Sequence, residues 1–144
     1  MPAQRFHVAL HGRPQEVTPG GPLQVAGKIV ESLAPDPTLC QVPLPVTFEE
    51  AEASLTRLPR VYFEPDGSFG WFSEPGAPRW DIGGMLYDRG DRVMYAELTG
   101  SCPQAEFRQL VDALGGSSRV LVQLVQEAVF LEADAFCRIL PNSL

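Results

Sequence analysis

Lysine is almost missing from this sequence: Lys28 is the only one among eleven basic residues, and the ten arginines are scattered from Arg5 to Arg138. Eighteen acidic residues leave a formal charge of −7. No window gathers the arginines into a basic stripe, and a net negative field repels phosphate backbones, so nucleic acid is not the expected partner. Histidine is as scarce, with only His7 and His11. The three cysteines, Cys40, Cys102 and Cys137, are odd in number and include no C-x-x-C pair, which fits neither a disulfide framework nor a zinc site. Reduced thiols in a reducing compartment are the economical reading.

Long apolar runs are missing too. The stretch from Val120 to Val125 is interrupted by Gln123 and is far short of a membrane span. The first ten residues lack the charged start and apolar run of a secretory signal, so the expectation is a cytoplasmic chain without membrane contact. No G-x-G-x-x-G or P-loop pattern occurs, and no cofactor or metal is expected.

What is present is an ordinary globular composition. The 144 residues are 44% hydrophobic and 20% charged, enough to build one core without a metal or disulfide staple. No composition shift or repeat divides the chain, so residues 1–144 read as a single domain.

Residues 5–11 alternate, with Phe6, Val8 and Leu10 on one side and His7, Ala9 and His11 on the other, as in a half-buried strand. Residues 12–21 read as a Gly/Pro-rich loop. In 22–34 the β-branched residues favour a strand. Helical spacing, however, gathers Leu23, Val25, Ala26, Ile29, Val30 and Leu33 on one face, between Pro22 and Pro35, and predicts a helix. Residues 36–45 form a proline-laden connector. Thr47 and Glu50 have capping-box form and open a helix that Pro59 ends. After Gly100, Cys102-Pro103 starts another helix, with Phe107, Leu110, Val111 and Leu114 buried and Gly115-Gly116 as its stop. A strand over 119–125, extendable towards Leu131, and a short helix over 132–140 finish the chain.

The middle of the chain holds two hairpins, 60–73 and 80–99. Pro65-Asp66-Gly67 and Asp88-Arg89-Gly90 each suit a three-residue loop with glycine in the left-handed position. Such loops pair Val61 with Trp71 and Phe63 with Phe69, and in the second hairpin Tyr87 with Asp91, Leu86 with Arg92 and Trp80 with Leu98. One face then collects Val61, Phe63, Phe69, Trp71, Trp80, Ile82, Leu86, Met94, Ala96 and Leu98, a core for helices to cover. The other collects Tyr62, Phe72, Met85, Tyr87, Val93 and Tyr95 among Arg60, Asp81 and Glu97. The fold class is therefore α+β: an antiparallel sheet of about five or six strands centred on these hairpins, with three to four helices mainly on one face.

For chemistry, His7 and His11 have the i, i+4 spacing of a helical zinc pair, but on a strand they stand about 13 Å apart and point to solvent. Arg89-Gly90-Asp91 is explained by turn chemistry and needs no adhesion role. Gly83-Gly84 in mid-strand reads as a bulge. Asp81 and Glu97, if opposite one another, would repel and raise one carboxyl, a possible acid–base pair unless an arginine neutralises it. Cys102 at a helix start is the one candidate nucleophile, and it needs a histidine base nearby.

Eight of the thirteen aromatic residues lie between Tyr62 and Tyr95. Two functions follow. The first is a non-enzymatic binding, adaptor or self-associating domain that presents Tyr62, Phe72, Met85, Tyr87 and Tyr95 to a protein partner or a second copy. Against it stands a structural reading, in which another element of the same domain covers that face. The alternative function is a small cysteine-dependent enzyme built on Cys102.

Overall fold

The computed structural model describes residues 5–142. It is α+β: a seven-stranded antiparallel sheet, a separate two-stranded one and three α-helices. The strands are β1 (Phe6–Gly12), β2 (Pro19–Val25), β3 (Lys28–Leu33), β4 (Val61–Phe63), β5 (Ser68–Phe72), β6 (Asp81–Arg89), β7 (Arg92–Ser101), β8 (Val120–Leu124) and β9 (Val129–Glu132). The helices are α1 (Phe48–Thr56), α2 (Gln104–Ala113) and α3 (Ala133–Ile139). The large sheet runs β4-β5-β6-β7-β1-β8-β9, so the first strand lies inside it, between β7 and β8.

Most local signals do what their chemistry dictates. Thr47 Oγ1 accepts from the Glu50 N–H while Glu50 Oε1 accepts from the Thr47 N–H, a complete capping box on α1. Gly67 takes a φ of 97° in the first loop, and Asp66 Oδ1 accepts from both the backbone and the hydroxyl of Ser68. Val61 pairs with Trp71 and Phe63 with Phe69, as three loop residues require.

The second hairpin has a different register. Its loop has two residues, Gly90 and Asp91, with Gly90 at a φ of 64°, so Arg89 pairs with Arg92. A bulge between Tyr87 and Asp88 then sets Tyr87 opposite Tyr95 and Leu86 opposite Ala96, four residues beyond the expected partners Asp91 and Arg92. Trp80 precedes β6 and has no partner in this ladder. An even offset leaves the faces unchanged, which is why Ile82, Leu86, Ala96 and Leu98 are all buried as expected. The bulge alone changes parity: Val93 turns into the core, not onto the open face, and Met94 is only partly buried. Gly83-Gly84 is not a bulge, since pairing runs unbroken from Asp81–Ser101 to Tyr87–Tyr95. Gly84 is required because the Phe69 ring lies where its Cβ would stand.

The helix expected over 22–34 is a hairpin, β2–β3. Ala26 and Gly27 form its turn at φ of 52° and 77°, and Leu23 pairs with Val30 and Val25 with Lys28. The β-branched residues there follow their strand preference, and the apolar spacing satisfied both periods. Residues 120–132 likewise form a hairpin, β8–β9, and not one extended strand.

All three helices pack on one face. Ala51 and Leu55 of α1 and Phe107, Leu110 and Val111 of α2 share one core with Leu10, Trp71, Ile82, Leu86 and Leu98. Phe6, Phe107 and Phe136 tie β1, α2 and α3 together with ring centroids 4.9–5.8 Å apart. The Trp71 indole N–H donates to the Pro59 carbonyl at 2.8 Å, so the largest buried ring leaves no orphan donor. Even the proline-laden connector is built in: Leu44 is fully buried, and residues 42–46 hydrogen-bond Gly12 and Val93.

The two glycines of β6 give a paired test. Gly84→Ala drives a methyl into the Phe69 ring and should cost about 1–3 kcal/mol. Gly83→Ala, which meets only Thr99 at ordinary contact distance, should stay within about 0.5 kcal/mol of the parent. Urea denaturation with an unchanged m-value checks both.

Candidate functional site

The registers bring Tyr62, Phe72, Met85, Tyr87 and Tyr95 onto the face opposite the helices. Tyr62 opposes Gly70 on β5, which opposes Gly83 on β6. Met85 stands between Ser68 and Glu97, and Tyr87 opposes Tyr95. The five residues form two ring pairs and not one cluster. Tyr62 and Phe72 meet edge-on at 5.9 Å, and Tyr87 and Tyr95 stack at 4.6 Å. Four strand residues, or about 13 Å, separate the Gly83 row from the Tyr87 row. Between them lies a shallow depression of about 450 Å³ lined by His7, Gly83, Met85, Glu97 and Thr99.

The sequence reading missed the polar hub of this depression. Glu97 Oε2 lies 2.7 Å from His7 Nε2, and its Oε1 accepts from the Tyr87 hydroxyl at 3.3 Å. Loss of hydration and the Glu97 carboxylate push the Tyr87 phenol above its ordinary value. Glu97 does not face Asp81: Asp81 opposes Ser101 and pairs with Arg5 at 3.1 Å. No signal in the sequence places His7 beside Glu97, because that contact depends on β1 entering the sheet next to β7.

The same face is half covered. Leu33 and Leu39, with Val17, pack against Leu121 and Phe130 over the β1–β8–β9 end. His11 therefore points under this cover and is 4% exposed, whereas solvent was expected. Its ring continues the tyrosine stack, 5.6 Å from Tyr95 and 5.6 Å from Phe130. Nε2 sits 2.8 Å from the Gln123 side-chain oxygen, and Nδ1 is buried without a hydrogen-bond partner among the described residues. A neutral ring donating from Nε2 fits this arrangement, and burial lowers the His11 pKa.

Cys102 lies elsewhere, on the helix side. It is 1% exposed and precedes α2, whose N-cap is Pro103. Burial, followed by the Glu106 carboxylate, raises its thiol far above the usual range. Both histidines belong to strand positions of the opposite face, so no histidine base accompanies it. Cys137 is also buried, with its thiol pushed up to about 11, and Cys40 is exposed. These surroundings favour inert thiols over a nucleophile. Among the described residues no group of histidine, cysteine and acidic side chains is arranged to hold a metal ion. No helix there is long and apolar enough to cross a membrane.

Comparison with protein-family models, with curated proteins and with solved structures finds no match. The site stands on its geometry alone.

Two measurements follow. Native alkylation by iodoacetamide at neutral pH should label Cys40 and spare Cys102 and Cys137, by mass spectrometry; fast labelling of Cys102 would favour the enzyme reading. A histidine whose pKa is lowered by folding binds its proton more readily in the unfolded chain. Stability should therefore fall as pH drops below about 6.5, and His11→Gln should flatten that part of a denaturation-versus-pH curve.

Proposed function

We propose that this chain is a non-enzymatic binding domain that self-associates through the open half of its sheet face. One observation carries the reading. Four large apolar side chains are exposed among the described residues, and three of them share this face: Tyr62 at 60%, Phe72 at 41% and Tyr87 at 37%. The fourth, Ile29, stands apart on β3. Tyrosine and phenylalanine anchors on a rigid sheet supply contact area at low entropic cost.

The charges support a second copy as the occupant. An acidic chain of net charge −7 repels itself at most surfaces. On this face, however, Asp81 is paired with Arg5 and Glu97 is hydrogen-bonded by His7 and Tyr87, which lessens the repulsion between two such faces. The edge strand β4 contributes less. It has three residues between Pro59 and Pro65, a short and proline-flanked edge of the kind that discourages strand addition. A face-to-face contact is the better geometry. The free cysteines fit a cytosolic setting for such a domain.

Light scattering after size exclusion, across a concentration series, tests this. A dimer is expected for the parent chain, and Tyr62→Ser with Phe72→Ser should weaken it about tenfold or more at unchanged melting temperature. A parent chain that stays monomeric at every concentration refutes self-association and directs the search to a different protein partner. Should the double variant unfold, Tyr62→Ser alone, at the most exposed ring, gives the answer.

A further inference from the structure

A second concavity lies where three chain reversals meet, away from the exposed rings. The β2–β3 turn, the β8–β9 turn and the end of α3 enclose a cavity of about 360 Å³. Phe6, Val8, Leu124, Phe136 and Leu140 make its floor and Val25 one wall. All but Phe6 and Val25 belong to the buried core itself, and these two pack against it, so the floor is rigid and apolar. This size falls in the range of small-molecule pockets.

The mouth carries the polar groups. Pairing of Val25 with Lys28 and of Leu23 with Val30 puts Lys28 on the same side of the hairpin as the buried Val30, facing the body of the domain. The chain's single lysine thus stands at the cavity, and its one hydrogen bond among the described residues is a long one, 3.5 Å to the Arg138 carbonyl. An ammonium has three donors, so most of its capacity is left for a ligand. Arg5, the other cation at the mouth, is held by Asp81. Glu127 sits on the opposite turn and makes a dianion unwelcome.

We propose that this cavity binds a small amphipathic monocarboxylate, its acyl or aromatic body on the Phe6–Leu124–Phe136 floor and its carboxylate on Lys28. The apolar body supplies most of the affinity through burial, and the ammonium selects acid over alcohol. The cavity shares Arg5 and His7 with the margin of the self-association face, but its apolar floor and Lys28 lie apart from Tyr62, Phe72 and Tyr87, so either reading can fail alone.

Titration of the full chain with octanoate, followed by amide chemical shifts and calorimetry, decides the matter. The expected result is saturable binding at one site, with shifts centred on residues 25–28, 124–127 and 136–141. Lys28→Glu should weaken octanoate binding about tenfold or more while leaving octanol unaffected. Ile139→Trp, which fills the cavity, should abolish both. Lys28 is exposed, so its variant stays informative even if the Ile139 variant does not fold. Absence of saturable binding overturns the proposal, as do equal octanoate affinities in parent and Lys28→Glu chains or shifts centred on the Tyr62–Tyr95 face.

Discussion

Insertion of β1 between β7 and β8 is the constraint on which everything else rests. Without it the sheet falls into two pieces, β4–β7 and β8–β9, that share no hydrogen bonds. Leu10 pairs with Ala96 on one side and Val122 on the other, so one buried residue joins segments more than eighty positions away. Such pairing is expensive in loop entropy and is repaid only when both neighbours are in place. In keeping with this, one core draws residues from α1, α2 and α3 as well as from the strands.

The same strand organises the opposite face. It sets His7 beside Glu97, which removes a free carboxylate from the depression between the ring pairs. Four residues later it sets His11 between Tyr95 and Phe130, where the tyrosine stack runs under the Leu33–Leu39 cover. Tyr87, Tyr95 and His11 thus form one row across the sheet, which Phe130 joins diagonally from the neighbouring Ala9–Gln123 row; the chain of rings is open at the Tyr87 end and covered at the Phe130 end. The covering segment reaches only half-way, so the face is buried at its β1–β8–β9 end and exposed at its β4–β7 end.

Legibility followed the range of the interaction. Capping by Thr47 and Glu50, the Asp66-Gly67 loop and the stripe Phe107–Leu110–Val111 are local, and the structure has them where the residues point. The second hairpin was legible in its faces but not in its register. A two-residue loop and one bulge are invisible to alternation, yet an even shift preserves the facings except at the bulge, where Val93 is buried and Met94 is not. The β2–β3 hairpin was misread because Ala26 adopts a positive φ that alanine seldom takes, so its turn carried no turn signal. The Glu97–His7 pair was out of reach for another reason: its partners are ninety residues apart, and strand order is not written in either segment.

Glycine placement separates the two faces of β6 and explains why the ring pairs stand apart. On the core side Gly84 admits the Phe69 ring against the backbone, which fixes β5 closely over β6. On the open side Gly70 lies beneath the Phe72 ring, and Gly83, next in the same row, carries no cover beyond Thr99. A side chain at 83 would rise into the depression between the Tyr62 and Tyr87 pairs, and one at 70 would displace the Phe72 ring. Their absence leaves raised pads on a recessed floor, with Glu97 and His7 as its polar margin. A flat apolar sheet face invites unselective sticking, whereas pads around a recess accept only a complementary relief. The relief of this face, more than its hydrophobicity, is what supports the proposal that it is a contact surface.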